Sequence, residues 1–408
     1  MAVRALQFVD SVPRWLISKA LGGLWKGVFW SPLACLRYRE VPEPVLPGPE
    51  WVKVKTRYSG ICGSDMNLIL LHDSPSTSPF ASFPFTVGHE NVGTIAEVGA
   101  AVDGFRVGDR VVVDPMLPCE VRGISPPCPF CQRGDRSLCE NFTRGNLAPG
   151  MLTGSCRDTG GGWSPYFLAH RSQLLHVPDH VSDEQAVLVD PFASSLHAIM
   201  RHFPASDQTC LVVGAGIIGL GVVAGLRALG HRGRVVVLAR HAFQEDLARH
   251  YGADEVVRTG PGYVLRMADT LGTRALKTMI GKPVLENGAD IVYECVGSSG
   301  SLDDSLRFAG RGGKVVLVGL ASVPRGVDWS FIWLKELHLV GSFCYSTEEY
   351  EGRRVRTYEV ALDLMAQGKV DLAPLLTHRF RLQDYRKAFQ TLTDKKNTAV
   401  VKAAFVFD

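Results

Sequence analysis

From about Arg37 to His170, apolar and polar residues alternate in short runs such as Trp51 to Lys55 and Val92 to Val98, broken by Gly and Pro. A period of two puts successive side chains on opposite faces, so these runs predict antiparallel strands joined by tight turns. Between about Phe192 and Phe343 the texture changes. Wholly apolar runs (Cys210 to Val213, Arg234 to Leu238, Asp290 to Glu294, Lys314 to Val318, Leu337 to Val340) are separated by helical stretches. Alternating units of this kind imply a parallel sheet covered on both faces. Beyond Tyr345, Glu359 to Gln367 and Leu382 to Leu392 have helical periodicity, and Val400 to Phe407 reads as a strand. The expected organisation is a β-rich domain in two pieces, 1–191 and 344–408, with the parallel-sheet domain 192–343 inserted. Ser11 to Leu33 interrupts the first piece with three tryptophans and several aliphatics among Lys and Arg. It predicts an amphipathic helix that packs on its own domain, walls a substrate channel, joins subunits or lies on a membrane surface.

At 408 residues the chain can bury a large core without disulfides. Forty-four basic against 41 acidic residues leave a net charge of +3, with no basic surplus for nucleic acid and no field to select charged substrates. Ten cysteines are too few for a disulfide framework, and four crowd between Cys119 and Cys139, which points to metal. With no secretory start, the expected compartment is reducing and cytoplasmic. The longest uncharged stretch, Thr209 to Leu226, carries five glycines. It therefore suits a buried strand, turn and helix better than a transmembrane segment.

That stretch holds Gly214-Ala-Gly216-Ile217-Ile218-Gly219, a G-x-G-x-x-G turn between an apolar strand and a helix. Its glycines allow a tight turn, admit a pyrophosphate close to backbone N–H groups, and let helix and strand pack, so a dinucleotide is expected here. The next strand ends in Ala239-Arg240-His241, where an NAD-selective site usually has an acid. A guanidinium would grip a ribose 2′-phosphate, which favours NADP over NAD, unless Arg240 is simply a solvated side chain. Cys128-Pro-Phe-Cys131 and Cys139 have the spacing of thiolates around a structural zinc. Cys119 is the nearest fourth ligand; otherwise it is a free thiol in a loop. Cys62, His89 and Asp190 are a scattered thiolate, imidazole and carboxylate that would suit an open catalytic zinc. Spacing alone does not bring them together, and Asp190 before Pro191 is also a plausible helix cap.

With Gly60-Ile-Cys-Gly-Ser-Asp65, Gly88-His-Glu90, Gly108-Asp-Arg-Val111, the cysteine cluster, Asp190-Pro191 and the Gly214 turn, the sequence resembles the zinc-dependent medium-chain alcohol and polyol dehydrogenases from about Arg37 to Lys402. The resemblance implies an α/β architecture: a β-rich catalytic domain with an inserted Rossmann-type, doubly wound parallel-sheet domain. It implies one catalytic and one structural Zn2+, NAD or NADP, a small-molecule alcohol or carbonyl substrate, and a homo-oligomer, dimer or tetramer. Carried over by position, Cys62 and His89 are zinc ligands, and Glu90 is a neighbouring carboxylate that approaches the metal. Asp190 stands where relatives commonly place Glu as a further ligand. Ser64 is the hydroxyl that hydrogen-bonds the substrate oxygen, and Asp65 supports it. Val296 and Val318 line the nicotinamide. Asn67 stands where many relatives have a proton-relaying His, and Asn does not titrate near neutrality; His72 is the nearest substitute in sequence. A reductase of aldehydes or activated double bonds, or an inactive zinc- and dinucleotide-binding protein, are the alternatives.

Overall fold

The computed structural model describes residues 1–408. The chain forms two units, Met1–Asp190 with Asp371–Asp408, and Pro191–Val370. The second unit thus extends past the expected limit at 343. The hairpin Thr347–Tyr350 and Arg353–Arg356 and the helix Thr357–Ala366 belong to it, not to the β-rich unit. The reason is local chemistry that periodicity does not reveal. Glu348 of the hairpin accepts from Nδ1 of His197 at 2.6 Å and Nε of Arg201 at 3.0 Å, both on the helix Val189–Arg201. Tyr345 and Tyr358 also pack edge to face at 4.7 Å.

In the first unit the strand Trp51–Ile61 is central. It pairs antiparallel with Asn91–Val98, Tyr166–His170 and the C-terminal strand Lys402–Val406 within a seven-stranded sheet. Its alternation is real: Val52 and Val54 are buried in a small core with Ile95, Val111 and Phe167, while Lys55 is exposed. The register Ser59↔Asn91 and Ala403↔Ile61 brings three strand ends together. Cys62 follows one strand, His89 and Glu90 precede another, and Lys402 opens the third. A second core, with Leu6, Ile61, Ile69, Trp163 and Phe405, backs these ends.

The second unit holds a six-stranded sheet in the order Glu255–Arg258, Val235–Ala239, Cys210–Val213, Ala289–Glu294, Ala309–Leu317, His338–Gly341, every pair parallel. Five of these strands follow the apolar runs. The sixth, Glu255–Arg258, is a short edge strand with only Val257 fully buried, so it shows no comparable run. Strand order reverses between Cys210–Val213 and Ala289–Glu294, the switch point where open α/β sheets bind ligands. No helix is long and apolar enough to cross a membrane.

Candidate active site and metal centres

Cys62, His89 and Glu90 place one potential ligand atom each within 4.8 Å of one another. Cys62 caps the short helix Gly63–Ile69, whose first turn carries Ser64. Asp65 ties two of the segments together. One of its carboxylate oxygens accepts the Cys62 backbone N–H at 2.8 Å, and the other lies 3.5 Å from His89 Nδ1. This leaves Nε2 as the free donor of the ring, the usual arrangement for a metal-bound histidine. Burial works against a charged His89, but the Asp65 carboxylate and then Cys62 outweigh it and hold its pKa well above the ordinary imidazole value.

Glu90 is fully buried, and Lys402 Nζ lies 2.5 Å from its Oε1. Burial disfavours the Lys402 charge, yet Glu90, Cys62 and Asp190 more than compensate and raise its pKa. Gly60 makes the space: a Cβ there would meet Glu90 Oε2 at 1.9 Å.

The four cysteines 119, 128, 131 and 139 likewise place their sulfurs within 4.8 Å of one another. Tetrahedral zinc with Zn–S near 2.3 Å separates its sulfurs by about 3.8 Å; Cys119 Sγ and Cys139 Sγ stand 3.6 Å apart. Cys119 also accepts from Cys128 N at 3.3 Å and Asn141 Nδ2 at 3.1 Å, and Cys139 from Asn141 N at 3.4 Å. Amide donors aimed at sulfur suit thiolate ligands. Contact with Cys131 draws the Cys139 pKa down to about 5, and the same contact, with burial, pushes that of Cys131 up. Both donor sets fit zinc.

In the second unit, Gly214 turns at φ +100° at the end of Cys210–Val213, and Gly216 precedes the helix Ile217–Ala228 with open space where a Cβ would be. Ile217 and Ile218 form the first helical turn. Gly219 packs so closely that a Cβ would lie 1.8 Å from the Gly214 carbonyl. A Gly219→Ala variant is therefore expected to lose about 1–3 kcal/mol by overpacking and to weaken dinucleotide binding at least about tenfold. Thermal melting and cofactor titration check this; unchanged affinity would contradict it. Val296 is exposed beside Gly214, and Val318 is half-buried. Arg240 lines a cavity of about 630 Å³ with Arg258, Arg266, Glu245 and Thr259, at the ends of Val235–Ala239 and Glu255–Arg258.

Comparison with known proteins agrees with this geometry. Residues 48–179 match the family described as "Alcohol dehydrogenase GroES-like domain", and 218–362 match "Zinc-binding dehydrogenase". An L-threonine 3-dehydrogenase of Anaeromyxobacter sp. is 31% identical, covering 89% of this chain and 93% of that protein. An L-idonate 5-dehydrogenase of Vitis vinifera is 30% identical, with coverage of 85% and 86%. The crystal structure of 2R,3R-butanediol dehydrogenase from Bacillus subtilis superposes with a TM-score of 0.72 at 24% identity over the whole of both chains. The chain belongs to the zinc-dependent medium-chain dehydrogenases. It is a zinc-dependent, NAD(P)-linked alcohol and carbonyl oxidoreductase.

Asp190 departs from its expected place in this dehydrogenase. It is buried in the first turn of Val189–Arg201, so it is not that helix's cap, and it stands outside the three-residue ligand group. Its charge acts on Lys402. Glu90 is the carboxylate beside Cys62 and His89.

Three structural residues of the dehydrogenase escape motif reading. Lys402 is distant in sequence from Glu90, and only strand pairing joins them. Arg122, fully buried, donates to the carbonyls of Leu117, Arg144, Leu147, Ala148 and Gly150 at 2.6–3.1 Å and so ties the cysteine lobe together. Glu294, buried at the switch point, accepts from the N–H groups of Val296 and Gly297 at 3.0 Å and fixes the turn that carries Val296. Burial raises its pKa.

Proposed function

We propose that this dehydrogenase oxidises a secondary alcohol or polyol and reduces the matching ketone, with NADP(H) as its preferred hydride carrier. The convergence of Cys62, His89 and Glu90 within 4.8 Å carries the catalytic part of the proposal. The names of its threonine and idonate relatives place the reacting carbon at internal positions 3 and 5, which supports a secondary alcohol. When bound, zinc supplies Lewis-acid polarisation of the substrate oxygen and the nicotinamide supplies or takes the hydride.

The chain's own groups divide the remaining work. Cys62 and His89 hold the metal, with Glu90 as the adjacent carboxylate. Asp65 orients the His89 ring through Nδ1. Ser64, two residues past Cys62, offers its hydroxyl to the substrate oxygen. Lys402 neutralises Glu90, so the donor set keeps the single net charge of the Cys62 thiolate and a metal held there stays electron-poor. Gly214, Gly216 and Gly219, with the N–H groups of Ile217 and Ile218, receive the pyrophosphate; Val296 and Val318 flank the nicotinamide. Cys119, Cys128, Cys131 and Cys139 hold the structural zinc.

Arg240 and the basic cavity it shares with Arg258 and Arg266 support the NADP preference. An Arg240→Ala variant is expected to bind NADP about 10- to 100-fold more weakly, the loss of a charge-assisted contact, with NAD nearly unaffected. Equal losses for both cofactors would refute the assignment. Ten free cysteines support a cytoplasmic location, and the near-neutral charge supports a small-molecule substrate over nucleic acid. The homo-oligomer, dimer or tetramer, follows from the resemblance and is tested by light scattering. The decisive experiment combines zinc analysis with a screen of secondary alcohols and polyols against NAD and NADP, before and after chelation. Turnover that survives removal of the metal would favour the double-bond reductase instead.

A further inference from the structure

The segment between Asp10 and Glu40 takes no part in either metal centre or in the dinucleotide turn. Its helix Val12–Leu21 is inverted relative to an ordinary surface helix. The stripe it turns toward the protein is polar or small: Ser18 is buried, and Ser11, Arg14 and Gly22 are half-buried, at helical spacing. Arg14 donates to the carbonyls of Pro32 and Ala34 at 2.5 and 3.4 Å, and Lys19 to that of Leu71 at 2.6 Å, so polar contacts pin the helix in place. The apolar side chains face the other way. Trp15, Leu16, Ile17 and Leu21 are exposed, and the turn that follows adds Leu24, 90% exposed, and Trp25, 55% exposed. Only after Gly27 does the segment dive into the core through Val28, Phe29 and Trp30. A soluble helix buries its apolar stripe; this one presents it to the outside, and an exposed apolar patch of this size marks an interaction surface.

Charge identifies the occupant. From Ser11 to Arg39 there are five cations (Arg14, Lys19, Lys26, Arg37 and Arg39) and no acidic residue. A second copy of the same patch would bring like charges together across a two-fold axis. An anionic bilayer meets both halves of the pattern: acyl chains take up the leucines and isoleucine, tryptophans sit at headgroup level, and the lysines pair with lipid phosphates and carboxylates. The helix, ten residues long, is too short to span a bilayer and suited to lie on one. We propose that the segment from Val12 to Lys26 is a peripheral membrane anchor that docks the protein on anionic lipid surfaces. Since it adjoins Leu71, a few residues past the helix that begins at Gly63, docking sets the catalytic unit's Cys62 region close to the lipid surface.

The test is co-sedimentation of the full chain with vesicles of pure phosphatidylcholine and of phosphatidylcholine with about one-third phosphatidylserine. The protein is expected to partition onto the anionic vesicles, weakly or not at all onto the neutral ones, and less as salt is raised. Two variants on exposed side chains, Leu16→Ser with Trp25→Ser and Leu24→Ser with Lys26→Glu, are expected to lower the partition coefficient at least about tenfold while their melting temperature stays unchanged. Absence of anionic-vesicle binding in the parent overturns the anchor, as does equal binding by parent and variants. A particle mass that either variant halves would instead assign the patch to a contact between copies. None of these readouts depends on turnover, so the anchor and the catalytic proposal fail separately.

Discussion

A Cys62→Ser variant is expected to lose at least about a thousandfold in kcat/KM, equivalent to roughly 4 kcal/mol of transition-state stabilisation, while retaining its fold and one of two zinc ions per chain. Cys62 gives the donor set its uncompensated negative charge, because Glu90 is already paired with Lys402. A serine hydroxyl stays protonated near neutral pH and leaves a metal held mainly by His89. The substitution is gentle elsewhere. Position 62 caps the helix Gly63–Ile69, serine is a good capping residue, and the backbone N–H of residue 62 still donates to Asp65. Elemental analysis, steady-state kinetics and melting curves together read the result. Full turnover with zinc content halved, or two zinc ions with turnover lost, would each break the link between Cys62 and catalysis.

The sequence carries the donors at both metal centres, but it does not carry their convergence in equal measure. Cys128, Cys131 and Cys139 lie within one loop, so their spacing alone implies a shared ion. Cys119 needs the Glu120 to Pro127 loop to fold back, and the carbonyls that Arg122 gathers show how that loop is held. Cys62 and His89 meet because their strands pair in the register Ser59↔Asn91, a long-range contact that no local pattern encodes. Lys402 arrives by the same route through Ala403↔Ile61, from the far end of the chain. A lysine in a C-terminal strand gives no local sign that it will be buried against a glutamate. Asp190 errs in the opposite direction. Its position matched the ligand of relatives, yet its charge acts on Lys402 and it stands outside the ligand group.

Secondary structure divides along the same line. Wholly buried strands such as Cys210–Val213 and Val235–Ala239 announce themselves as apolar runs, since both faces of a parallel strand are covered. The edge strand Glu255–Arg258 has no such run, and the hairpin at Thr347–Arg356 is held to the second unit by one buried carboxylate. The helix Val12–Leu21 is legible as amphipathic but not in its orientation. Periodicity locates an apolar stripe; it does not say that Arg14 and Ser18 will be the residues facing inward.

The second large effect is expected at the cysteine lobe. Cys131→Ser should remove the structural zinc, lower the melting temperature by roughly 10 °C, and open residues 119–150 to proteolysis, while the catalytic ion remains. Each kcal/mol lost shifts the transition by about 2–4 °C in a domain of this size, and breaking a structural zinc site costs several kcal/mol, since metal binding there is folding free energy. The lobe has little else to rely on. Its regular structure is a four-residue helix, Pro129–Gln132, and a three-residue turn, Arg136–Leu138, and its apolar support is limited to a cluster around Leu117, Val121 and Leu147. Arg122 adds its carbonyl contacts, but a buried guanidinium near Cys119 and Cys139 is best balanced when those sulfurs are thiolates. Losing the metal therefore weakens that anchor as well. The paired variants make a strict test: Cys62→Ser and Cys131→Ser should each retain one zinc, the first with a normal melting curve and little turnover, the second with a lowered melting curve. A Cys131→Ser protein with two zinc ions and an unchanged melting temperature would show that the four sulfurs do not hold a metal.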